Sequence, residues 1–284
     1  MDNELNNVVF ECKNCHNTFI IKEYKKDIYC PYCAKNEFEK KEYNKKIDIN
    51  YILPFKIAKD DAKKILINNY NKKYFLPEIY KNKNIIDKIV GLYIPVGLYD
   101  AEISFSINIK GKKKYNKILK EYDIERVGVS TYNNIIINSG IVNNQDIVFN
   151  YSYKDMRKYD ISYLSGYITD TNELEYNDLV DFECDDLKDD TLNKIKEDIN
   201  NYNNIDINKK DLNISKINLK KCFLPVWILP VKIKNSIYYV FINGQNGNIK
   251  IDYPYEKIKI IILNIIIFII CLLLSLLLFV FGVI

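Results

Sequence analysis

Four of the seven cysteines stand in two pairs, Cys12-Lys13-Asn14-Cys15 and Cys30-Pro31-Tyr32-Cys33, separated by fourteen residues. Two Cys-x-x-Cys knuckles at this separation can bring four thiolates to the corners of a tetrahedron while the spacer folds into a hairpin. Thr18-Phe19-Ile20-Ile21 and Asp27-Ile28-Tyr29 are strand-forming runs around the turn-prone Lys25-Lys26, which suits such a spacer. The pattern is that of a zinc ribbon, with Cys12, Cys15, Cys30 and Cys33 as ligands of a structural Zn2+. Four thiolates leave no open position for water or substrate, and so small a module would scarcely fold without the ion. Two disulfides are the competing chemistry, and a reducing compartment argues against them. His16, the single histidine, adjoins Cys15 and is expected at the surface. Cys184, Cys222 and Cys271 stand alone and are assigned to packing or to the lipid phase.

Other chemistry is thinly represented. With one histidine beside a metal cysteine there is no His-based triad. Gly111-Lys112 lacks the upstream glycine and the hydroxyl residue of a phosphate loop. Asp170, Glu173 and Glu175 could act together, but their spacing does not set them apart from a solvated acidic surface. No catalytic residue is expected, and the chain reads as a non-enzyme.

The strongest signal lies at residues 260–284, from Ile260 to Ile284. These 25 uncharged residues are Ile, Leu, Phe and Val with one Cys, interrupted only by Asn264, Ser275 and Gly282. About 20 apolar residues cross a hydrocarbon core of roughly 30 Å. Lys257 and Lys259 precede the run and no basic residue follows it, so the positive-inside rule places the bulk in the cytoplasm. The start of the chain lacks the basic region and apolar core of a signal peptide. The expectation is a single-pass, tail-anchored protein of the inner membrane, with the lipid bilayer as its first partner.

Between knuckles and anchor the pattern is mixed. The expected domains are a ribbon over 1–36, a linker over 37–50, α+β units over 51–165 and 166–255, and a membrane helix over 258–284. Asp60 and Asp61 precede a helix reaching about Tyr70, with Ala62, Ile65, Leu66 and Tyr70 on one face. Ile103, Phe105, Ile107 and Ile109 alternate with polar residues as in a strand with one wet face, and Gly111 is expected to begin a turn. Further strands are expected over 125–132, 135–138 and 147–153. Asp189 or Asp190 should cap a second helix bearing Leu192, Ile195, Ile199 and Tyr202, followed by a polar stretch and strands at 222–230 and 237–242. Asn243-Gly244-Gln245-Asn246-Gly247 forms a hairpin turn before Ile249 and Ile251. Tyr93-Ile94-Pro95-Val96-Gly97-Leu98 parallels Phe223-Leu224-Pro225-Val226-Trp227-Ile228, which suggests a degenerate duplication of a helix-plus-antiparallel-sheet unit. The class is α+β.

Net charge is only +4, which by itself points to no nucleic-acid partner. Lys110, Lys112, Lys113, Lys114, Lys117 and Lys120 form a cluster that is either a solvated surface or a contact for anionic headgroups. Lys13, Lys22, Lys25, Lys26, Lys40, Lys41, Lys45 and Lys46 around the ribbon would serve a nucleic acid, but Glu11, Glu23, Glu37, Glu39 and Glu42 dilute them.

The ordered set of motifs resembles a family of bacterial membrane-anchored zinc-ribbon proteins. It comprises the four cysteines, Ile52 through Ile57, Gly91 through Glu102, Tyr163 through Tyr167, Leu224 through Trp227, Asn243 through Gly247 and the apolar span. Some members of that family continue beyond the span, where this chain stops at Ile284. Members are often labelled helicase-like or transcription-factor-like, and some are associated with flotillin-like or phage-shock-protein-A-like membrane-stress systems. The resemblance implies a cytoplasmic-facing membrane platform that recruits a protein partner; a membrane-tethered nucleic-acid binder is the alternative. It carries over no binding residues.

Overall fold

The computed structural model describes residues 9–21, 28–41, 49–115, 118–138, 150–170 and 176–280. Three short strands come first: β1 (Val9–Cys12), β2 (Thr18–Ile21) and β3 (Phe38–Lys41), with β1 antiparallel to both others. Part of the expected linker is therefore a strand. Phe38 packs edge-on against Phe19, with ring centroids 5.2 Å apart, and this contact draws the polar β3 into the sheet. Residues 42–48 of the linker expected over 37–50 lie outside the described residues.

β4 (Tyr51–Ile52) leads into α1 (Lys59–Asn71), whose buried Ala62, Leu66 and Tyr70 recur at helical spacing and whose first turn carries Asp60 and Asp61. A short α2 (Lys83–Ile86) follows, N-capped by Asn82, whose side chain accepts from the Asn84 amide. Next come β5 (Val90–Tyr115, 26 residues) and β6 (Ile118–Asn138, 21 residues), paired antiparallel along almost their whole length. Gly111 starts no turn: it lies within β5 opposite Tyr122. A Cβ there would stand 3.0 Å from Cβ of Tyr202, so glycine serves close packing instead. The strands expected over 125–132 and 135–138 are one element. Of the third, 147–149 lies outside the described residues, and 150–153 is not a strand.

After β7 (Arg157–Lys158) and β8 (Ile168–Asp170) comes α3 (Tyr176–Asp198), far longer than expected. Asp189 and Asp190 lie inside this helix and do not cap it. Asp190 accepts from the Tyr132 hydroxyl at 3.0 Å and pairs with Lys194 at 2.7 Å. Leu192, Ile195 and Ile199 are buried as expected, against Ile107, Ile109 and Ile124. The stretch read as polar is the start of β9 (Asn203–Ile233), a 31-residue strand that pairs with β5 from Val90↔Ile228 to Lys112↔Asn203. β6, β5 and β9 thus form a three-stranded arm with α3 along one face.

The arm leaves the core at a bulge in β5 between Tyr99 and Ala101. There Asp100 accepts from the Asn134 amide at 2.9 Å and from Lys220 Nζ at 2.6 Å, and Asn134 has φ 54°. Burial raises the Asp100 carboxyl, but Lys220 and the Asn134 amide outweigh it and hold the group below its usual range. A depressed carboxyl contributes stability that is present above its unfolded pKa and is lost as pH falls through the folded value. Asp100→Ala is therefore expected to cost about 1.5–3 kcal/mol near neutral pH in chemical denaturation. The difference from wild type should shrink below roughly pH 4.

β10 (Ser236–Asn243) and β11 (Ile249–Ile251) complete the sheet, in the order β11-β10-β9-β5-β8-β2-β1-β3, with β6 on β5 and β4 between β7 and β9. The pairings repeat about the Ile94↔Leu224 pair, which Tyr93↔Pro225 and Pro95↔Phe223 flank. β8 lies parallel beside Leu92 and Tyr93 of β5; β4 lies parallel beside Cys222 and Phe223 of β9. Hairpin partners then join at Val96↔Asn138 and Val226↔Asn243. Each half thus lends its first strand to the other.

The chain continues into α4 (Lys257–Val280). Its Lys257–Leu277 stretch of 21 residues has mean hydropathy 3.3, and none of its apolar window is buried in the body; it is long and apolar enough to cross a membrane.

Candidate metal centre

Cys12 ends β1, Cys15 and Cys30 lie in the loops on either side of β2, and Cys33 precedes β3. The four Sγ atoms all lie within 4.8 Å of one another, and among the described residues they are the one such group of metal-ligating side chains. Cys12 and Cys33 are 3.6 Å apart at sulfur, as are Cys15 and Cys30. A metal–sulfur bond of about 2.3 Å implies tetrahedral edges of about 3.8 Å, which these separations match. A disulfide would need about 2.05 Å, and all four cysteines are free. The set can hold one metal ion.

The two knuckles share one backbone design. His16 N donates to Cys12 O at 2.8 Å, and Ala34 N donates to Cys30 O at 2.9 Å. His16 has φ 57° and Ala34 φ 56°, so each knuckle closes through a left-handed residue just after its second cysteine. This explains the histidine's place next to Cys15. Its ring points to Glu11, with Nδ1 2.9 Å from Oε1, and is 76% exposed, away from the sulfurs. Histidine tolerates the left-handed region better than alanine. Ala34→Gly should relieve about 1 kcal/mol of backbone strain, raising the midpoint of chelator-driven metal loss; an unchanged midpoint would count against strain at Ala34.

Burial pushes the Cys33 thiol up to about 11 and pushes Cys30 up further. The thiols must lose protons on metal binding, so uptake releases acid and weakens as pH falls. Asn17 Nδ2 lies 3.4 Å from Cys15 Sγ, a donor suited to a thiolate.

This centre does not hang on a tether. β2 pairs with β8 (Phe19↔Asp170), and Cys12, Phe19, Cys30, Tyr32 and Cys33 share one core with Leu92, Ile94, Leu224 and Phe241. Tyr32, inside the second knuckle, donates to Asp170 Oδ1 at 2.6 Å, and the Tyr239 hydroxyl donates to Tyr32 O at 2.9 Å. Burial, then the Asp170 charge, pushes the Tyr32 phenol well up and keeps it a donor. The sequence does not show this clamp, since a tyrosine inside a knuckle and another in a strand give no sign of their distant partners.

The other candidates stay apart. Asp170 is buried against the knuckle, while Glu173 and Glu175 lie outside the described residues. Cys222 is packed in the core, and Cys271 faces outward on α4. Of the basic residues around the knuckles, Lys41 is paired with both Glu11 (3.2 Å) and Glu39 (2.6 Å), and Lys22, Lys25, Lys26, Lys45 and Lys46 lie outside the described residues. An apolar cleft of about 330 Å3 is lined by Ile21, Val90, Tyr167, Ile168 and Trp227, with Lys59 among its walls and none of the four cysteines.

No family model matches the chain, and no solved structure matches it. The chain is 19% identical over 220 residues to the Uncharacterized protein YdjG of Bacillus subtilis (strain 168), a match that covers 74% of this chain. It spans 64% of that protein's length.

Proposed function

We propose that the chain is a non-enzymatic membrane platform: a zinc-stapled α+β body, held at the cytoplasmic face of the inner membrane by α4, that recruits a protein partner. The observation that carries this reading is the separation of anchor and arm on one continuous strand. Asp252 N donates to Tyr239 O, and Tyr239 pairs with Pro230 of β9; Lys110 at the arm's far end pairs with Asp206 of the same strand. Those levels are about 24 residues apart, or about 80 Å at roughly 3.3 Å per residue. β11 runs in the direction of β9, so the chain heads for α4 away from the arm. A rigid arm anchored at the opposite end is suited to holding something off the bilayer. It also takes the lysines at 110, 112, 113, 114 and 120 far from the anchor root.

Zinc is the metal that a closed set of four thiolates favours. The three-stranded knuckle module supports the ribbon assignment, and the pairings that repeat about Ile94↔Leu224 support an origin by duplication. Its structural role follows from the lack of an open ligand position. A body locked to its ribbon presents a fixed surface, and the anchor raises its concentration at the membrane.

The test is in-cell crosslinking of the full chain, then capture from solubilised membranes with assay of both protein and nucleic acid. A reproducible protein partner supports the platform. Crosslinked nucleic acid without one replaces it with the nucleic-acid reading, which the pairing of Lys41 with Glu11 and Glu39 disfavours.

A further inference from the structure

We infer that the turn after α1, Lys72-Lys73-Tyr74-Phe75, is a second bilayer contact, a collar that rests on an anionic lipid surface beside the root of α4. This rests on the reading that α4 crosses the membrane. In the sequence, Tyr253 and Tyr255 are the aromatics next to the start of the span. The fold brings a distant turn to the same level.

That turn is fixed to the start of α4 by several bonds. Glu256 N donates to Phe75 O at 3.2 Å, and Lys259 Nζ donates to Leu76 O at 3.2 Å and pairs with Glu78 at 3.0 Å. The Tyr80 hydroxyl donates to Asp252 O at 2.8 Å, and Lys73 Nζ stands 5.2 Å from the centre of the Tyr253 ring. Tyr74 and Phe75 pack edge to face at 5.3 Å, level with the first turn of the apolar helix.

Tyr74 is 68% exposed and Tyr255 64% exposed. Tyrosine favours the headgroup layer, where the ring meets apolar chains and the hydroxyl stays wet. The charge beside these rings is positive. The acids facing the turn are already engaged, Glu78 by Lys81 and Lys259, and Glu256 by Lys259. Among the described residues Lys72 and Lys257 form no ion pair, which leaves their ammonium groups for phosphate or carboxylate headgroups. A body held through one helix can swivel on it. A second contact restricts that motion and sets the direction in which the arm points.

The experiment places a tryptophan in the collar. Full-length Tyr74→Trp is reconstituted into floating vesicles of phosphatidylcholine and phosphatidylglycerol whose acyl chains are brominated near the headgroup. Trp227, the single native tryptophan, is buried in the body and gives the background. The variant should lose emission that wild type keeps, and more so as phosphatidylglycerol increases. A lysine at an anionic surface favours contact about fivefold, so adding Lys72→Gln and Lys73→Gln should weaken the contact roughly 25-fold. Lys72→Trp, at an exposed neighbouring position, gives an independent reading should Tyr74→Trp misfold. Protein that floats with the vesicles but is quenched no more than wild type overturns the collar and leaves the anchor standing. Protein that does not float overturns the anchor and the collar together.

Discussion

Cys12→Ser is expected to empty the metal site and to destabilise the body as well as the knuckles. Cys12 is fully buried in the same core as Leu92, Val96, Cys222 and Leu224, so loss of the ion loosens that core from one side. The sequence read alone suggests a separable ribbon, in which the substitution would disorder residues 8–36 only. Pairing of β2 with β8 and the two tyrosine clamps on the second knuckle couple the regions. The scale is large. Structural zinc contributes about 10–16 kcal/mol in isolated fingers, whereas a whole domain is stable by about 5–15 kcal/mol. Metal analysis should show the bound metal lost, and thermal unfolding of the detergent-solubilised full chain should begin well below the wild-type midpoint. Unaltered metal content would refute the ligand assignment; metal loss with an unshifted body transition would restore the separable ribbon.

Lysines at Ile266 and Leu273 together should abolish membrane retention. Both side chains are about half exposed in the apolar part of the helix, of which nothing is buried in the body, so the substitutions leave the fold's own contacts intact. A lysine near the centre of a span costs about 2.5–3.5 kcal/mol, and two cost roughly 5–7 kcal/mol, a factor of several thousand or more. The double variant should move from the carbonate-resistant membrane fraction to the supernatant while keeping its bound metal. Retention in the resistant fraction would show that something other than α4 anchors the chain.

The elements that announce themselves locally were legible in the sequence. The knuckle spacing found all four sulfurs of the centre, the apolar run found α4, and Ala62, Leu66 and Tyr70 traced the buried face of α1. The full reach of β9 was hidden by a change of phase. Ile205 and Ile207 sit at odd positions, Leu212 and Ile214 at even ones, and Leu219 at an odd one again. The register slips between Asn108 and Ile109 and between Glu102 and Ile103 of β5 account for this, because each extra residue in β9 turns the following side chains to the opposite face. A strict alternation test therefore scores the segment as polar, although Ile207, Leu212, Ile214 and Leu219 all pack toward the arm's core. The start of α3 was hidden for a different reason: its acidic residues resemble a solvated loop, and helical propensity alone does not distinguish the two. The match between 93–98 and 223–228 was too short to decide anything alone. In the fold those segments occupy equivalent places in the pairing, each next to a parallel strand from the other half.

A platform that holds a protein at the membrane is tested most directly by following that protein. The partner captured by crosslinking is tracked by fractionation in cells with the full chain, the double-lysine variant or neither. The partner is expected to be membrane-bound only with the full chain, and to become soluble, still bound to the platform, with the variant. A partner that remains on the membrane in all three cells would contradict recruitment.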